Sequence, residues 1–68
     1  MQNFKIKDEY IKLGQALKAA GLVESGVDAK YEITEGKVKV NGSVCTMRGK
    51  KLVKGDIVEY DNNTLKID

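Results

Sequence analysis

The stretch Lys37-Val38-Lys39-Val40-Asn41-Gly42 constrains this chain more than any other. Lysine and valine alternate with the period of two expected of a strand that has one face buried. Asn-Gly then supplies the two residues that most readily take positive φ, which selects a type I′ turn and a tight antiparallel hairpin. Ser43 to Met47 is read as the returning strand. A lone two-stranded ribbon is marginal in water, so other elements of the chain must cover its valine face.

The remaining sequence supplies those elements. Leu13, Ala16, Leu17 and Ala20 fall on one face of a helix that Gly21 can close as a left-handed cap. After the apolar connector Leu22-Val23, the pair Ser25 and Asp28 resembles a capping box opening a second helix. Ala29 and Ile33 lie one turn apart on its inner face, and Gly36 ends it. Residues 3–7 alternate as a short strand. Lys54-Gly55-Asp56 turns into another strand at Ile57 to Tyr60, and Asp61-Asn62-Asn63 turns into a last one at Thr64 to Ile67. This last strand is expected beside the N-terminal one, because each would otherwise leave backbone groups unpaired. The fold class is therefore α+β. Residues 1–68 form a single domain, in which two N-terminal helices pack on a small antiparallel sheet with short extra strands at the termini.

Composition excludes much of what such a domain could do. With 68 residues, one cysteine and no histidine, the chain has neither an internal disulfide nor a zinc ligand set, so packing must hold it together. The N-terminal residues have no uninterrupted apolar stretch, and a reducing cytoplasmic setting is expected. Cys45 follows Val44 in a strand without a partner to activate its thiol, and reads as a packing residue. Tyr10, Tyr31 and Tyr60 read as core or rim packing. The pairs Glu32/Glu35 and Glu24/Asp28 read as solvent-facing or capping carboxylates. Without a nucleophile beside a base, a metal cluster or a phosphate-binding glycine loop, the chain is not read as an enzyme, and no cofactor is expected.

Charge placement is more informative than the net +2. Six basic residues and no acidic one lie between Lys37 and Lys54, leaving six basic against all ten acidic residues, a net of −4, in the rest of the chain. Such segregation points to an anionic ligand. With Val38 and Val40 facing the helices, Lys37 and Lys39 project together from the opposite side of the strand.

Read in order, Lys12-Leu13, Gly21-Leu22-Val23, Ser25, Ala29, Ile33, the Gly36 to Gly42 hairpin and Arg48-Gly49-Lys50-Lys51-Leu52-Val53-Lys54-Gly55-Asp56-Ile57-Val58 resemble the S4 RNA-binding domain over nearly its full length. Leu-Gly-Gln in the first helix and Arg-Gly-Lys-Lys-Leu in the loop are similar to the short, stand-alone bacterial YaaA-type members. The resemblance implies the S4-like αL fold and a non-catalytic monomer that docks a basic face on structured RNA, ribosomal RNA or a ribosomal particle. The contact residues it implies are Lys12, Ser25, Lys30, Lys37, Lys39, Arg48, Lys50 and Lys51. Larger members commonly carry Arg directly after the serine that starts the second helix. This chain has Gly26 there, which removes one phosphate contact. Two other readings compete. The basic hairpin and loop also suit a protein-interaction module facing an acidic partner. A ubiquitin-like sulfur carrier shares the Val-Asn-Gly and Gly-Asp turns, but the sequence closes on Leu65-Lys66-Ile67-Asp68 and not Gly-Gly.

Overall fold

In the computed structural model, which describes residues 1–68, the sheet grows outward from the Asn41-Gly42 turn. Both turn residues have positive φ, 52° and 85°, and β3 (Val38–Val40) pairs antiparallel with β4 (Ser43–Val44). The return strand is shorter than expected: beyond Val44 only Cys45 N–H still donates to β3, to Val38 O at 3.0 Å, and Thr46 and Met47 leave the ladder. On its other edge β3 pairs with β6 (Ile57–Tyr60), and β6 with β7 (Asn63–Ile67). A second two-residue turn joins β6 to β7. Asp61 and Asn62 both lie in the left-handed region, which these short polar side chains tolerate better than other non-glycine residues.

The N-terminal strand β1 (Gln2–Phe4) completes the order β1-β7-β6-β3-β4. It lies beside β7 as expected, but parallel to it, with Gln2 opposite Leu65 and Phe4 opposite Ile67. The sheet is thus mixed and not purely antiparallel. Strand β1 is also shorter than residues 3–7; beyond it the backbone continues the edge, with Ile6 N–H donating to Asp68 O at 3.0 Å. A separate ribbon pairs β2 (Ile11–Lys12) with β5 (Lys51–Leu52), so part of the expected basic loop is strand.

The helices α1 (Leu13–Ala19) and α2 (Gly26–Thr34) follow these first two strands in the chain. Both end in the same way. Gly21 N–H donates to Lys18 O and Leu22 N–H to Leu17 O, while Gly36 N–H donates to Ile33 O and Lys37 N–H to Glu32 O. With Gly21 at φ 78° and Gly36 at 79°, these are two Schellman motifs, each closed by the glycine at which the sequence places the helix end.

Leu13, Ala16 and Leu17 of α1, Ala29 and Ile33 of α2, and Val38, Val40, Val58, Leu65 and Ile67 of the sheet belong to one buried cluster. Ile6, Val23 and Leu52 complete it, and no polar or charged residue is buried. Apolar burial at roughly 25 cal/mol per Å² must therefore carry the stability of this small domain. No helix is long and apolar enough to cross a membrane.

Candidate nucleic-acid interface

The backbone of the basic loop is tied to the start of α1. Leu13 N–H donates to Lys50 O at 2.8 Å and Gly14 N–H to Arg48 O at 3.0 Å. Two of the amides that a helix N-terminus leaves without intrahelical partners are satisfied in this way. Lys12 occupies the N-cap position, and its ammonium group forms no ion pair. The Arg48 Cβ and carbonyl lie at van der Waals distance from where a Cβ on Gly14 would sit, 3.6 Å for each. Backbone pairing, not charge, holds these cations in place.

The result is an open groove of about 350 Å³ lined by Lys12, Gly14, Gln15, Lys18, Gly26, Arg48 and Gly49. It has three cations and no carboxylate. Lys12 and Lys51 are opposite each other in the β2–β5 ribbon, so both project from the same side of it. Lys30 is four residues from Gly26 on α2, on the same helix stripe. Of the eight expected contact residues, Lys12 and Arg48 line the groove, while Lys51 is opposite Lys12 and Lys30 is one helical turn from Gly26, next to the groove.

The other four sit differently. Lys37 and Lys39 do share one side, but they line another groove with Glu59, Tyr60 and Asp61. Lys39 is directly opposite Glu59, and Lys37 Nζ lies 3.2 Å from Glu32 Oε2. That oxygen is shielded from water. Hydrogen-bond contact with Glu32, and then its charge, hold the Lys37 ammonium above its usual pKa. Tyr60, beside it, is also raised, first by burial and then by Glu32. Lys50 faces a third groove with Val40, Val44 and Met47. The eight residues therefore do not share one groove, because the hairpin lysines are turned toward carboxylates of β6 and α2.

Ser25 is the N-cap of α2, and its Oγ accepts from Asp28 N–H at 3.2 Å. Only this half of the expected capping box forms: the Asp28 carboxylate makes no return bond. That carboxylate also lies in the first turn, where it offsets the positive end of the helix dipole. Gly26 borders the cationic groove, and a Cβ added to it would meet nothing within 4 Å. The space for a side chain at this position is open.

Sequence reasoning missed Lys18 and Gln15. Gly14 and Lys18 are one turn apart on α1, with Gln15 beside them, so a search of that helix for polar residues sharing the side of Lys12 would have found them.

The chain matches the S4 domain family model over residues 4–68. It is 45% identical over 56 residues to RlbA of Bacillus subtilis (strain 168), a protein named for ribosome maturation, covering 82% of this chain and 79% of that one. It is 38% identical over 61 residues to YbcJ of Escherichia coli (strain K12), named for RNA binding, covering 90% and 87%. The solution structure of E. coli YbcJ, described as revealing an αL motif involved in RNA binding, superposes with a TM-score of 0.75 at 37% identity, covering 98% of this chain and 86% of that one. Shared sequence across nearly the whole chain, on the same two-helix and sheet framework, means that this protein belongs to the S4 domain family.

Proposed function

We propose that this is a non-catalytic RNA-binding protein that docks the Lys12–Lys18–Arg48 groove on structured RNA. The observation that carries the reading is the groove itself, with three cations, no carboxylate and no apolar residue in its lining. Cations held together without counter-charges repel one another, and phosphates relieve that repulsion while releasing their condensed counterions. A groove of this kind contacts backbone and not base edges, which suits recognition of A-form RNA by shape and phosphate position. The names of RlbA and YbcJ support the same reading, and RlbA favours ribosomal RNA or a ribosomal particle as the target. The protein acts as a monomer in the cytoplasm.

The test is fluorescence anisotropy of a folded ribosomal RNA fragment at increasing salt. If about four phosphates are neutralised, log affinity falls with log salt with a slope of roughly −3. Replacing Lys12 and Arg48 together by Ala reduces affinity at least tenfold and flattens the slope by about 2. The melting temperature changes little, because Arg48→Ala retains the carbonyl and Cβ that meet Gly14. A flat salt response in the parent protein would favour a partly apolar protein interface instead.

A further inference from the structure

Resting on that reading, we infer that the same surface has a second pocket, for one unpaired nucleobase, between the N-terminal segment and α1. A groove of about 370 Å³ lies there, with Phe4, Ile6, Tyr10, Ile11 and Ala19 among its lining. Gln15 borders both this groove and the cationic one. It forms the ridge between them, and its amide makes no hydrogen bond within the protein. A second link joins the two sites. The Tyr10 ring has Lys51 Nζ 4.8 Å from its centroid, and Lys51 lies opposite Lys12.

Tyr10 is 39% exposed and lies outside the core cluster. An aromatic ring left accessible, steadied by a cation and continuous with a phosphate-binding surface, is the arrangement that stacks bases. The polarity of the groove fits the same occupant. Its apolar wall suits the flat faces of a base, and the Gln15 amide can donate to or accept from its edge. Lys5, Lys7 and Asp8 also line it, so its rim carries charge of both signs and the apolar wall, not the rim, selects a base. A base paired within an A-form helix does not expose its faces, so the occupant is a bulged, loop or terminal nucleotide. The preferred ligand is then a duplex interrupted by one unpaired residue, and not a uniform duplex.

Three RNA probes test this: a short hairpin with one unpaired adenosine in its stem, the same hairpin with an abasic residue there, and the fully paired stem. Anisotropy titrations are expected to favour the adenosine bulge about tenfold over the abasic one. Tyr10→Ala removes that preference and leaves the salt slope unchanged, whereas Tyr10→Phe retains it. Ala19→Glu, on an exposed helix position, removes it as well, by placing a carboxylate on the wall of the groove. Equal affinity of the parent protein for the bulged and abasic hairpins, or a preference that survives Tyr10→Ala, overturns the base pocket alone. Failure to bind any of the three with salt dependence overturns the RNA-binding reading, and the base pocket with it.

Discussion

At the scale of single residues, Asn41 does more than permit its turn. Its Nδ2 donates to Asp56 Oδ1 at 3.0 Å, and its Oδ1 accepts from Ile57 N–H at 2.9 Å. Asp56 Oδ2 in turn accepts from Val53 N–H at 2.8 Å. The Asn-Gly hairpin and the Gly-Asp turn are therefore two halves of one clasp. Replacing either Asn41 or Asp56 by Ala is expected to cost about 1–3 kcal/mol in urea unfolding, with the double variant costing less than the sum, since each loss strands the other partner. Ser25→Ala is expected to cost about 1 kcal/mol through the lost cap. The Lys37 and Tyr60 pKa values, both raised in the fold, have the same sign of effect. The folded state holds these protons more tightly than the unfolded one, so their stabilisation is complete at neutral pH and is lost as pH rises through the range above about 10 where Lys and Tyr titrate. Melting temperature should therefore fall more steeply above about pH 10 in the parent protein than in Glu32→Gln.

Among the elements, the helix ends divide the glycines into two kinds. Gly21 has φ 78° and nothing near a would-be Cβ, so Gly21→Ala is expected to destabilise by about 1 kcal/mol from backbone strain alone. Gly26 has no positive φ and the same open surroundings. Gly26→Arg should therefore fold at least as well, and it adds a fourth cation to the groove, steepening the salt slope by about 0.7–0.9. Unchanged affinity and slope in that variant would separate the α2 start from the RNA surface. The second Schellman motif also explains why Lys37 is diverted from the cationic groove. In such motifs the residue after the glycine packs on the residue three from the helix end, commonly through an apolar contact. Here those positions are Lys37 and Glu32, and the contact is an ion pair.

Across the whole molecule, the local features were legible, and of the long-range ones only the adjacency of the two terminal strands was. The periodicity of Val38 and Val40, the left-handed Asn41-Gly42 pair, the glycines closing both helices and the inward faces of Leu13, Leu17, Ala29 and Ile33 depend on neighbours within about one turn or one strand pair, and sequence alone determined them. Tertiary structure alone decided that β1 runs parallel to β7, that Ile11–Lys12 pairs with Lys51–Leu52, and that Asn41 meets Asp56. It also decided which cations converge. A lysine's residue type and strand parity give its side of an element, but not whether a carboxylate from another element meets it. Lys37 and Lys39 found Glu32 and Glu59 across such contacts, while Lys12, Lys18 and Arg48 were drawn together by loop carbonyls capping α1. The Lys37–Glu32 pair is set locally by the Schellman motif, but the Lys39–Glu59 pairing and the groove follow from which backbone edges pair at a distance, and that depends on the closing of the core as a whole and not on any short window of residues.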